Sequence, residues 1–114
     1  LTDFNCYNNQ LISLPTEIGQ LTNLRNFNCG ENKLTILPQE IGKLVNLTKL
    51  YCFHNELTSL PSEIGQLNQL TDFVCSSNKL VYLPPEIDKL KSLVRFITSE
   101  NNLSTIPPEM CDST

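Results

Sequence analysis

Cysteine is the residue of this chain whose type and spacing most invite a chemical reading. Cys6, Cys29, Cys52 and Cys75 recur every 23 residues, and Cys111 stands fourth from the end. A thiolate is a nucleophile and a metal ligand, but it needs partners close by. Zinc sites draw ligands two to four residues apart along the chain, or pair cysteine with histidine. Here the spacing is 23 and His54 is the only histidine. A Cys52–His54 nucleophile fails on direction, because Cys52 points inward and His54 belongs to the outward positions. Strand stacking could place the four thiols in one column, yet side chains leaving parallel strands in the same direction have poor disulfide geometry. The reading that remains is architectural: free, buried cysteines acting as small hydrophobes. A ladder of free thiols favours a reducing compartment, the cytoplasm, over a secreted setting. Cys111 mimics a prenylation box, but Asp112 and Ser113 are not aliphatic, which argues against lipid attachment. No catalytic residue, cofactor or metal is expected.

The elements that must hold these cysteines repeat with them. Leu24, Phe27, Cys29, Asn32, Leu34, Leu37, Pro38 and Ile41 align with Leu47, Leu50, Cys52, Asn55, Leu57, Leu60, Pro61 and Ile64, and again with Leu70, Phe73, Cys75, Asn78, Leu80, Leu83, Pro84 and Ile87. Around Phe27 and Cys29 apolar residues alternate with polar ones, the period of a half-buried strand. Leu34 to Pro38 then turn the chain over. Proline, with fixed φ and no N–H, suits the first residue of a short helical turn. Glu40 sits near the turn's start, where it complements the helix dipole, and Gly42 is placed to end it. One unit cannot bury its own apolar edge; stacked units share a continuous core.

The stretch Leu24-Arg25-Asn26-Phe27-Asn28-Cys29-Gly30-Glu31-Asn32-Lys33-Leu34 resembles the leucine-rich repeat signature, with cysteine where most members have leucine. With its Leu-Pro-x-Glu-Ile-Gly tail, the unit is similar to the 23-residue subclass of intracellular signalling scaffolds and some bacterial proteins. The resemblance implies an α/β right-handed solenoid with a parallel concave sheet and short helical or 3-10 turns on the convex side. It divides residues 1–114 into a single domain of five repeats: a truncated 1–20, then 21–43, 44–66, 67–89 and a divergent 90–114. In the resembled family the Asn9, Asn32, Asn55, Asn78 and Asn101 position is structural, its amide satisfying backbone groups where the strand turns away.

Both ends of the array look atypical. Leu1 falls in mid-repeat without a cap, which predicts that Leu1, Phe4, Leu11 and Leu14 are partly uncovered and that the N-terminus is a cut end. An open strand edge at Leu1–Cys6 invites pairing, so an edge-mediated dimer is expected. In the last unit Thr98 replaces cysteine and Met110 replaces isoleucine, the divergence a natural end would show.

Net charge is −4. Glu17, Glu40, Glu63, Glu86 and Glu109 occupy one place per repeat and predict an exposed, solvating ladder on the convex side. It lacks the dense oxygen cluster of a calcium site. Arg25, Lys33, Lys43, Lys49, Lys79, Lys89, Lys91 and Arg95 form no basic run, which argues against nucleic acid. No apolar run approaches transmembrane length, and no charged-then-apolar leader opens the chain. The sequons Asn46-Leu47-Thr48 and Asn102-Leu103-Ser104 arise easily in such a repeat and matter only in a secreted protein.

Function must lie where the frame leaves residues free, on the outward positions of the strands. Most of these are small or polar. Tyr51 and Phe53 stand out, expected to project together, flanked by Val74 and Ile97 and rimmed by Lys49, His54, Asp72 and Arg95; Tyr7 and Asn28 complete the candidate surface. An aromatic and aliphatic cluster with a charged rim has the make-up of a protein-binding hot spot. The alternative is cross-strand stacking that only stabilises the sheet. The expected function is a non-catalytic protein–protein interaction scaffold. Its rivals are a substrate-recognition or regulatory segment of a larger signalling enzyme (a GTPase, kinase or ubiquitin ligase) and an extracellular adhesion or sensing module.

Overall fold

The computed structural model of the chain describes residues 1–104. The expectations placed on Glu109, Met110 and Cys111 lie outside the described residues. Five three-residue strands, β1 (Asp3–Asn5), β2 (Asn26–Asn28), β3 (Lys49–Tyr51), β4 (Asp72–Val74) and β5 (Arg95–Ile97), pair in sequence order. Every pairing is parallel, and partners sit 23 positions apart: Phe4 opposite Phe27, Leu50 opposite Phe73. Between strands the chain runs through the 3-10 turns Thr16–Gln20, Gln39–Lys43, Ser62–Gln66 and Pro85–Lys89. This is the right-handed solenoid of strand and short turn that the repeat implies.

Such short elements hold because stacking buries them. Phe27, Leu50 and Phe73 at the strand centres, Leu47 and Leu70 before them, and Ile41 and Ile64 in the turns are fully buried. Each such side chain contributes roughly 1.5–3 kcal/mol over its exposed state. The strand-centre rings also stack along the array, Phe4 on Phe27 at 5.4 Å and Phe73 on Phe96 at 5.3 Å between centroids.

The asparagines tie neighbouring repeats together. The amide of Asn55 donates to the carbonyls of Cys29 and Cys52, both at 3.1 Å, and of Phe53 at 3.2 Å, while its Oδ1 accepts the Leu34 N–H at 3.0 Å. Asn32 and Asn78 repeat the pattern. Just before each asparagine the backbone is left-handed: Asn8, Glu31, His54, Ser77 and Glu100 have φ between 53° and 61°. None is glycine, although the conformation costs an L-residue about 1–2 kcal/mol. It bends the chain off the strand so that the asparagine turns inward.

Three local expectations are corrected. Pro15, Pro38, Pro61 and Pro84 do not open the 3-10 turns; each precedes one in extended conformation, with ψ of 147° to 153°. The glycines do not end them, for the chain leaves the turn at Leu21, Leu44, Leu67 and Leu90, and no glycine has positive φ. Gly42 and Gly65 instead allow neighbouring turns to touch: a Cβ on Gly42 would stand 2.8 Å from the Glu63 carbonyl oxygen, and one on Gly65 2.7 Å from that of Glu86. The acidic ladder is consequently less exposed than its charge suggests, with Glu17 exposed but Glu40, Glu63 and Glu86 half-buried.

The N-terminal end is open as expected in part. Leu1 is 70% exposed, Leu11 is exposed and Phe4 half-buried, but Leu14 is buried. Phe4, Leu11, Leu14, Ile18 and Leu21 line an apolar hollow of about 480 Å³.

Candidate interaction surface on the parallel sheet

Strand pleating sends Phe27, Leu50 and Phe73 inward and leaves the residues on either side facing solvent. Three columns result. The first runs Asp3, Asn26, Lys49, Asp72, Arg95, and the second Asn5, Asn28, Tyr51, Val74, Ile97. The third continues past the strands as Tyr7, Gly30, Phe53, Ser76 and Ser99, still within the backbone ladder that Asn8 N–H→Gly30 O and Glu31 N–H→Phe53 O extend.

The candidate residues fall into two groups. Tyr51, Val74 and Ile97 are in register on successive strands and all half-buried. Phe53 is not flanked by them in its own column, where its neighbour on the later side is Ser76. It meets Tyr7 instead, across two repeats, with centroids 6.0 Å apart. That reach exists because Gly30 lies between them without a side chain. His54 stands edge-on to Phe53 at 6.4 Å. The two groups join at β3 into one stripe, Tyr7–Phe53–Tyr51–Val74–Ile97, crossing all five strands over about 19 Å at the usual strand spacing. Tyr7 is 43% exposed, whereas Phe53, Tyr51, Val74 and Ile97 are half-buried and so less exposed than the sequence suggests.

The rim is polar. Asn26 Nδ2 donates to Asp3 Oδ1 at 2.8 Å, Thr71 Oγ1 to Asp72 Oδ1 at 3.0 Å, and Ser77 Oγ to Glu100 Oε1 at 2.9 Å. Lys49, His54 and Arg95 are exposed. Asn28 has a local duty, its Oδ1 accepting the Gly30 N–H at 2.9 Å. A shallow depression of about 350 Å³ lies between Asp3, Asn5, Asn26, Asn28, Lys49 and Tyr51.

The cysteines lie behind this surface. Cys29, Cys52 and Cys75 are buried and free, Cys6 free and half-buried. Burial pushes the Cys29 and Cys75 thiols up to about 12 and Cys52 well above its ordinary value. Cys29, Cys52 and Cys75 are packing residues of the core. Buried Cys52 and exposed His54 share no site. Among the described residues no cluster of three or more His, Cys, Asp or Glu could hold a metal ion, and no helix is long and apolar enough to cross a membrane.

Sequence reasoning missed one feature, the exposed apolar residues off the sheet: Ile12, Ile36, Val81, Tyr82 and Val94. They occupy positions that the repeat leaves variable, and that variability is the signal in the sequence that marks them.

A parallel sheet built of identical turns with a variable solvent face defines the class, and the comparisons agree. The leucine-rich repeat region family matches residues 2–112, and the chain belongs to it. It superposes on a leucine-rich repeat protein of Leptospira interrogans with a TM-score of 0.94 and 46% identity, covering 96% of this chain and 28% of that one. The functional domain of InlJ from Listeria monocytogenes, described as including a cysteine ladder, is 31% identical with a TM-score of 0.82, over 94% of this chain and 22% of that one. The leucine-rich repeat ectodomain of the Arabidopsis thaliana membrane receptor kinase GASSHO1/SCHENGEN3, solved in complex with CASPARIAN STRIP INTEGRITY FACTOR 2, is 35% identical with a TM-score of 0.86, over 94% of this chain and 14% of that one. The chain therefore spans less than a third of the length of each of these structures. A comparison with curated proteins finds no match.

Proposed function

We propose that this chain is a non-catalytic protein-interaction module whose partner sits on the solvent face of the sheet, over Tyr7, Asn28, Lys49, Tyr51, Phe53, His54, Asp72, Val74, Arg95 and Ile97. The observation that carries the reading is the apolar stripe across all five strands, at positions the repeat does not need for folding. Sequence relatives solved with a bound factor support it, among them the Arabidopsis ectodomain. Burial of the Cys29, Cys52 and Cys75 thiols supports the non-catalytic part of the reading. The alternative reading is a substrate-recognition or regulatory segment of a larger signalling enzyme. The free thiols favour a reducing compartment.

A photo-crosslinking residue at Tyr51 is expected to capture the partner, and one at Tyr82, off the sheet, is not. Capture only at Tyr82 overturns the reading. Tyr51→Ala with Phe53→Ala should weaken capture; if it leaves both capture and thermal stability unchanged, the cluster is neither a binding nor a folding element.

A second reading rests on the open N-terminal end. Its apolar hollow and the free edge of β1 support self-association through Leu1–Cys6. Sedimentation at rising concentration should show a dimer that Phe4→Glu abolishes, and a strictly monomeric profile removes this reading.

A further inference from the structure

The sheet surface changes chemistry halfway along. The row that holds Tyr51, Val74 and Ile97 on β3, β4 and β5 holds Asn5 and Asn28 on β1 and β2. Each of these asparagines accepts, through Oδ1, the backbone N–H two residues on: Tyr7 for Asn5 at 3.0 Å and Gly30 for Asn28 at 2.9 Å. The fold does not require that bond, since Tyr51, Val74 and Ile97 occupy the same place with side chains that cannot make it. Its effect is to fix the amide. With Oδ1 held by an N–H, each Nδ2 is a donor of settled identity, without a partner among the described residues. The two donors stand on adjacent strands, about 4.7–4.9 Å apart at the usual spacing. The neighbouring row supplies acceptors. Asn26 Nδ2 donates to Asp3 Oδ1 at 2.8 Å, which leaves Asn26 Oδ1 and Asp3 Oδ2 to accept. Lys49 ends that row and Tyr51 the other. Two rows on three strands make a grid of roughly 7 by 10 Å around the depression of about 350 Å³, a volume at the small end of ligand sites. Within the grid Asp3 and Lys49 balance, so it carries no net charge.

We infer that this depression is a binding site for a neutral saccharide, with one sugar ring on the grid, its hydroxyls paired with the Asn5, Asn26 and Asn28 amides and Asp3, and an apolar face of the ring against Tyr51. A hydroxyl both donates and accepts, so neighbouring hydroxyls of one ring use a surface that mixes fixed donors with fixed acceptors. A carboxylate or ammonium ligand would pair with one end of the grid and be repelled by the other. An extended peptide laid across the strands repeats its carbonyls on one side every two residues, about 6.6 Å, and does not match donors 4.7–4.9 Å apart. The amides are already ordered by their own backbone bonds, which lowers the ordering cost of binding. The site shares Asn28, Lys49 and Tyr51 with the proposed protein surface but does not rest on that reading.

The test is an NMR titration of the whole isotope-labelled chain with neutral oligosaccharides of glucose, mannose and galactose at millimolar concentration, with a sulfated oligosaccharide as the charged comparison. The expected result is that at least one neutral sugar shifts the side-chain amides of Asn5 and Asn28 and the Tyr51 ring. Asn28→Asp keeps an oxygen for the Gly30 N–H and turns the outward donor into an acceptor. It should lower that affinity by about tenfold or more, as should Asn5→Asp one strand away, while Tyr82→Ser, off the sheet, leaves it unchanged. Binding of the sulfated sugar alone overturns the inference in favour of charge pairing with Lys49. Neutral sugars that shift only other residues, or shift none, overturn it too, as do aspartate variants that bind like the original chain. None of these outcomes decides the protein surface, which crosslinking at Tyr51 tests separately.

Discussion

The tip of the Phe53 ring rests on the bare α-carbon of Gly30, one repeat earlier: a Cβ added there would stand 2.7 Å from the ring's Cζ. Only this absence lets Phe53 reach Tyr7, 6.0 Å away between centroids and two repeats back. Gly30 has negative φ, so alanine is conformationally acceptable and would gain about 0.4–1 kcal/mol from the unfolded chain. Gly30→Ala is therefore expected to change stability by no more than about 1 kcal/mol while expelling the ring. Loss of Tyr7–Phe53 ring contacts in nuclear Overhauser spectra, with a nearly unchanged urea midpoint, is the expected signature.

Gly42 and Gly65 look like Gly30 in sequence but face backbone. A Cβ on either meets the carbonyl of Glu63 or Glu86 at 2.7–2.8 Å, and backbone cannot rotate away as a ring can. Gly65→Ala should cost about 1–3 kcal/mol, the range for overpacking. Gly19→Ala, with its nearest backbone atom at 3.2 Å, should cost less. Chemical denaturation of Gly19→Ala, Gly42→Ala and Gly65→Ala ranks them, and equal losses would refute the close-approach argument.

The asparagine ladder predicts a gradient along the array. Asn55→Ala strands the buried Leu34 N–H, at a cost of about 1–3 kcal/mol, while the Cys29 carbonyl keeps its bond from Asn32. Asn9 is exposed and bonds only within its own repeat, to Cys6 and Tyr7. Asn9→Ala should lose under about 1 kcal/mol. Urea midpoints that fall equally for both would place the ladder's contribution elsewhere.

The thiols predict an alkaline limit to stability. Burial holds Cys29 and Cys75 protonated to about 12, against an ordinary 9.0 in the unfolded chain. The native state then binds more protons than the unfolded state between these values, so stability falls as pH rises. The contribution is complete below pH 9.0 and is lost progressively toward 12, at about 1.4 kcal/mol per thiol per pH unit. Cys29→Ala with Cys75→Ala should flatten that slope in denaturation series. Among the four ladder thiols, only half-buried Cys6 should react with iodoacetamide in the native protein.

Much of the fold was legible because inward and outward positions follow from local alternation. The 23-residue period placed Phe27, Cys29 and Leu50 inside, Asn32 and Asn55 at the strand exits, and Tyr51, Val74 and Ile97 outside without any knowledge of their neighbours. Within the candidate surface, the row Tyr51–Val74–Ile97 was likewise legible, since a fixed period fixes register. The position of Phe53 was not, because it depends on what stands one repeat away.

The sequence by itself determined the family and the inward face. Tertiary structure alone decided how successive turns touch. Glycine in the 3-10 turns serves a neighbour rather than its own backbone, which makes Gly42 a packing residue and half-buries Glu40, Glu63 and Glu86. Stacking also holds five non-glycine residues in left-handed conformation, against their local preference. The physical reason is common to all of these. Side-chain direction is set within two or three residues of chain, whereas close approach is set between atoms of different repeats, and only the stacked array brings those atoms together.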